Sequence, residues 1–148
     1  MNQPQSATTL APASLPKRLA AMFYDSLMIG ALWLFVSLIA VALNGGELVQ
    51  GPLFRSTLFL VTFLYFAIFW AWKGQTVGMV AWRLRIQTND GRLISGMQAL
   101  LRFFCAGASL LCLGAGFWWM LFNNKHQTWH DRYSDSCMVQ LPPRIKKV

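Results

Sequence analysis

Leu19 to Leu43 reads LAAMFYDSLMIGALWLFVSLIAVAL, an apolar run opened by Lys17-Arg18, closed by Asn44-Gly45-Gly46 and holding one charged residue, Asp25. About 20 apolar residues, each rising ~1.5 Å, cover the ~30 Å hydrocarbon core of a bilayer, so the run is long enough for a membrane-spanning helix. A carboxylate inside such a helix costs on the order of 2.5–3.5 kcal/mol on insertion scales. A simple anchor has no use for that cost. Asp25 is therefore the first candidate for function.

Leu53 to Trp72 forms a second apolar run. Pro16 suits the start of the first helix, and Asn44-Gly45-Gly46 suits its end. Glu47 to Pro52 makes a short turn, which returns the second helix beside the first. Arg55 near its start is placed to snorkel to headgroups, and Trp70-Ala71-Trp72 at its far end reads as an interfacial belt. The chain of 148 residues is 55% hydrophobic and 12% charged, against about 25% charged in soluble domains. Its mean hydropathy is +0.42. One domain of an integral membrane protein is expected.

The formal net charge is +8. Its Lys and Arg residues lie beside or between the apolar runs, as topology determinants and contacts for anionic lipid headgroups do, so nucleic acid is not an expected partner. Lys73, Arg83, Arg85, Arg92 and Arg102 face one acid, Asp90, in the segment after the second run. The positive-inside rule puts this loop and the N-terminus in the cytoplasm. Met1 to Pro16 is polar and rich in Pro, Ala, Ser and Thr; it reads as a disordered leader, without a signal-peptide pattern. Residues 17–141 read as the membrane domain and 142–148 as a basic tail. Cys105, Cys112 and Cys137 read as small packing residues, not as a disulfide or metal set.

Leu84 to Thr88 alternates like a short strand and is followed by Asn89-Asp90-Gly91, a turn signal. Cys137 to Leu141 is a second strand candidate, and pairing the two requires both on one side of the membrane. Phe103 to Phe122 is long enough for one span, which would send the basic tail outside. A break at Gly114-Ala115-Gly116 resolves the conflict, with helices over about Ser95–Leu113 and Phe117–Tyr133. The expected fold is a small all-α membrane bundle of three to four segments, with short β-strands on a cytoplasmic loop and a cytoplasmic C-terminus.

Arg18 and Asp25 share a helix face but lie ~10 Å apart along the axis, too far for a direct ion pair. Asp25 is expected to find its partner on another element, from Arg102, His130 or hydroxyls such as Ser26, Ser37 and Thr62. Its functional reading is an ion- or proton-coupling carboxylate; its structural reading is a buried Asp that fixes helix register. In Thr128-Trp129-His130-Asp131-Arg132, adjacent His and Asp point to different azimuths and form no dyad, and Asp131 is expected to cap or to pair with a basic group. His126 and His130 have the i, i+4 spacing of helical zinc sites but lack a third ligand. Gly74-Gln75-Thr76-Val77-Gly78 reads as a tight turn more than a helix-dimerisation signal. No metal site, cofactor motif or nucleophile–base pair is visible, so no enzyme is expected.

Taken in order, these pieces resemble the RDD family of bacterial membrane proteins, named for one arginine and two aspartates. Pro16-Lys17-Arg18-Leu19-Ala20-Ala21 followed by Asp25 matches the family's first helix. Gly74 to Ile86 is similar to its glycine–glutamine–threonine–x–glycine stretch, Asp90-Gly91 and Leu100-Leu101-Arg102 to the segments that follow, and Gln127 to Arg132 to its histidine–aspartate element. The resemblance implies a multi-pass protein of the bacterial inner membrane, with Arg18, Asp25 and Asp131 as the functional trio and Arg102 and His130 beside them. For the family, transport of unidentified ligands has been suggested. In that reading Asp25 binds a cation or proton, Arg18 and Arg102 bias its protonation and Asp131 gates the cytoplasmic side. One short chain offers little wall for a pathway, so transport implies a homo-oligomer. The alternative is a membrane scaffold, assembly or interaction module whose charged trio is structural.

Overall fold

Ser14, extended at φ −68° and ψ 150°, turns the chain into helix α1, Leu15–Leu43, with Pro16 in the first turn where its missing N–H is harmless. The computed structural model describes residues 10–112, 114, 119, 122 and 128–142, with the backbone alone for Trp129 and His130. Helix α2 covers Pro52–Lys73 and again opens on proline. Both helices are long and apolar enough to cross a membrane. Their apolar side chains, Leu34, Phe35, Leu38 and Leu60 among them, are exposed instead of packed in a protein core. Such continuous apolar surface belongs in lipid. The expected boundaries differ from these by a residue or so, because proline and glycine punctuate both runs.

Gly74 ends α2 in the left-handed conformation, φ 66°. Thr76 then caps a short helix α3, Val77–Ala81, by accepting from the Met79 N–H. Strand β1, Leu84–Thr88, follows, and helix α4, Gly96–Leu111, starts on a complete capping box between Ser95 and Gln98. Helix α5, Trp129–Tyr133, leads into strand β2, Ser136–Gln140. The expected helix Phe117–Tyr133 is interrupted, since Thr128 lies outside α5. Most of its remaining length, and the glycine break at Ala115-Gly116, fall outside the described residues.

β1 and β2 pair antiparallel, with Leu84 opposite Gln140 and Thr88 opposite Ser136. The second strand thus begins one residue earlier than its hydropathy pattern suggests. Its outer edge is covered by the N-terminal segment: Ala13 donates its N–H to the Met138 carbonyl at 2.9 Å, and Gln140 donates to the Ala11 carbonyl at 2.8 Å. Pro12 bridges Val139 between them. The expected leader therefore ends too late at Pro16, because Ala11 to Ala13 already pair and Ala13 is fully buried. A two-stranded sheet is marginal alone, and this covering segment removes one open edge.

The core gathers where the sheet meets the helices. Ala21, Trp70, Met79, Leu84, Ile86, Ala99 and Met138 bury together, with Phe66 and Phe103 packed against them. Phe103 also meets Phe63 edge-on, at 5.3 Å between ring centres. The start of α1, the end of α2, the sheet and α5 thus share one end of the molecule.

Candidate functional site

Two buried carboxylates sit at that end, in separate settings. Asp25, on α1, accepts from the Tyr65 hydroxyl at 2.9 Å, the Gly78 N–H at 2.8 Å and the Thr76 hydroxyl at 2.5 Å. Tyr65 comes from α2, Thr76 from the cap of α3 and Gly78 from its first turn. The loop motif supplies this geometry residue by residue. Gly74 takes a positive φ and lies so close to β1 that an added Cβ would fall 2.5 Å from the Ile86 carbonyl oxygen. Gln75 donates to the Leu84 carbonyl at 2.7 Å, which fastens the turn to the strand. Gly78 presses on α1: a Cβ there would collide with the Ala21 carbonyl and sit 3.0 Å from the Asp25 carboxyl carbon.

Asp131, on α5, holds two arginines. Arg18 Nη1 meets its Oδ2 at 2.5 Å and Arg102 Nη1 its Oδ1 at 2.6 Å, with all three side chains 2% exposed or less. Asp131 Oδ2 also accepts from the Thr128 N–H at 3.3 Å, while Thr128 Oγ1 accepts from the Asp131 N–H at 3.4 Å. This reciprocal pair satisfies the start of α5. Arg18 donates further to the Ala13 carbonyl at 3.1 Å and the Met138 carbonyl at 3.4 Å, joining α1 to the covering segment and the sheet. Arg102 donates to Ser136 at 2.7 Å, and its guanidinium lies 5.6 Å from the Trp70 ring centre. Burial, and then the nearby Asp131 carboxylate, pushes the thiol of Cys137 on β2 above its usual range.

The trio read from the sequence therefore divides. Arg18 and Asp131 touch; Asp25 touches neither. The expectation that Arg102 serves Asp25 is corrected, since Arg102 belongs to Asp131. Ser26, Ser37 and Thr62 are corrected too: each hydroxyl bonds a carbonyl of its own helix, Phe23, Trp33 and Leu58 respectively. A hydroxyl in an apolar helix finds its nearest acceptor one turn back. The role expected of Arg18 and Arg102 in biasing Asp25 loses its contact basis. His130 has its backbone in α5 and its side chain outside the described residues, as is all of His126.

Tyr65 was missed by sequence reasoning. It is the lone tyrosine of α2, a polar tip in an apolar run, and that is the signal that could have found it. Thr76 stood inside a motif read only as a turn.

Chemically, the Asp131 cluster is a clamp of two cations on one carboxylate, with one positive charge in excess, and the Asp25 cluster is a carboxylate cradled by neutral donors. No curated protein and no solved structure matches the chain significantly. A protein-family model does match, over residues 12–135. The matched span runs from the covering segment to the residue before β2 and contains Arg18, Asp25, Arg102 and Asp131. With its two exposed apolar helices and this span, the chain is a membrane protein that belongs to the RDD family.

Proposed function

We propose that this chain is a multi-pass membrane scaffold or assembly module, in which buried Arg–Asp and Asp–hydroxyl contacts lock the bundle to its small sheet. The observation that carries this reading is Asp25, both of whose oxygens are already engaged by donors from α2 and from the cap and first turn of α3. Removing one member of such a set leaves a buried polar group unpaired, which costs about 1–3 kcal/mol, and more for a charged group. The Lys and Arg residues at this end support an N-terminus, sheet and C-terminal tail on the cytoplasmic side of a bacterial inner membrane, and with it four segments over three. Its exposed cations would face anionic headgroups or an acidic partner.

A second reading, transport of a proton or small cation through a homo-oligomer, is favoured by one feature. The donors from Tyr65 and Thr76 are hydroxyls, which can turn lone pairs towards a cation beside Asp25. Asp25→Asn separates the two. Wild type and variant would be purified, tested for thermal unfolding and reconstituted in liposomes with a pH-sensitive dye and imposed proton and sodium gradients. The lock predicts a large loss of thermal stability in the variant and no flux from wild type above empty liposomes. Flux that disappears in a variant as stable as wild type overturns the lock and supports transport.

A further inference from the structure

The bend between α3 and β1 throws Trp82 and Arg83 outward. Arg83 adopts φ 54°, in the left-handed region that a long side chain rarely occupies. Surrounding contacts impose it: Gln140 Nε2 donates to the carbonyls of Trp82 at 3.2 Å and Arg83 at 3.3 Å, and the Leu141 N–H donates to the Arg83 carbonyl at 2.8 Å. Strain held in this way calls for a use of the side chain it displays.

Beside the bend lies a cleft of about 230 Å³ lined by Gln75, Val80, Arg83, Leu141 and Pro142. Arg83 is exposed and makes no ion pair among the described residues. Its apolar lining is Val80, Leu141 and Pro142, and α3 and the bend carry further exposed apolar side chains. Val77 and Val80, three apart on α3, are exposed, and Trp82 is 38% exposed with its ring edge-on to Tyr24 of α1 at 6.4 Å. α3 lies flat on α1 through Gly78. The cleft thus sits on the flank of a membrane helix where lipid-facing surface gives way to the Lys/Arg-rich loop. An interfacial aromatic beside a snorkelling cation is how proteins meet the headgroup layer.

We propose that this cleft binds the phosphate of an anionic phospholipid, with the Arg83 guanidinium donating to phosphate oxygens and the acyl chains lying along Val77, Val80 and Trp82. The cation supplies a charge-assisted, forked donor set matched to phosphate. The apolar rim selects a lipid over free phosphate, which has nothing to lay on it. This inference rests on α1 and α2 spanning the bilayer and is independent of whether the protein moves a solute.

The test is native mass spectrometry of the full chain released from detergent after incubation with phosphatidylglycerol, phosphatidylcholine or inorganic phosphate. Wild type should keep one phosphatidylglycerol under activation that strips phosphatidylcholine. Arg83→Gln should lower that retention about tenfold, the loss expected from one charge-assisted contact. Arg83→Gly should do the same while relieving the backbone strain, so a folded variant is available if glutamine disturbs the bend. Arg92→Gln, which removes an exposed cation away from the cleft, should leave retention unchanged. Equal retention of phosphatidylcholine, unchanged retention in both Arg83 variants, an equal loss in Arg92→Gln, or displacement of the lipid by inorganic phosphate would each overturn the proposal. Release of the chain from membranes by an alkaline wash would overturn it together with the membrane reading itself.

Discussion

Gly78 shows how one missing methyl group positions a carboxylate. Its bare Cα lets α3 lie on Ala21 closely enough for the Gly78 N–H to reach Asp25. Gly78→Ala must push α3 off α1, and overpacking of this kind costs about 1–3 kcal/mol. A lower thermal midpoint for the purified variant is expected, and an unchanged one would show that the contact is loose. Arg83 gives the opposite sign. Its left-handed φ is free for glycine, so Arg83→Gly is expected to stabilise the fold by about 1 kcal/mol, read in the same unfolding experiment. Cys137 offers a pH test. Because burial and Asp131 raise its pKa, less thiolate is present at neutral pH than in the unfolded chain, and thiolate is the reactive form. In a variant with Cys105 and Cys112 replaced by Ala, maleimide labelling should be slower folded than denatured, and the folded rate should keep rising as the pH is raised above 8.

At the level of elements, local signals carried far. The apolar runs and their Pro and Gly boundaries located α1 and α2, the helix expected from about Ser95 corresponds to α4, and alternation in Leu84 to Thr88 marked β1. Each of these is encoded within a few neighbouring residues. The partners of Asp25 are not: Tyr65 and Thr76 lie 40 and 51 residues away, and neutral hydroxyls leave no charge pattern to follow. The sequence did show that Arg18 is too far along the helix to serve Asp25, and that Asp131 wants a cation or a cap; it has both. The covering segment was hidden for another reason. Pro12 reads as a breaker, yet a proline is tolerated on the outer edge of a sheet, where one face of the backbone needs no donor.

For the whole molecule, the consequential contact is the buried ion set that ties the start of the chain to its end. Arg18 near the start and Asp131 near the end are 113 residues apart, with Arg102 on the same carboxylate. A buried ion set adds little net stability compared with an apolar replacement, but breaking one strands its partners in a dry interior, at about 3–5 kcal/mol. Its use here is to specify which faces of α1, α4, α5 and the sheet come together. Unfolding of Asp131→Asn beside wild type in the same detergent tests this most directly. The account predicts that the variant, with Arg18 and Arg102 left without their carboxylate, loses on the order of 3–5 kcal/mol or its cooperative transition altogether. A variant that unfolds at the wild-type midpoint with the same sharpness would contradict the lock.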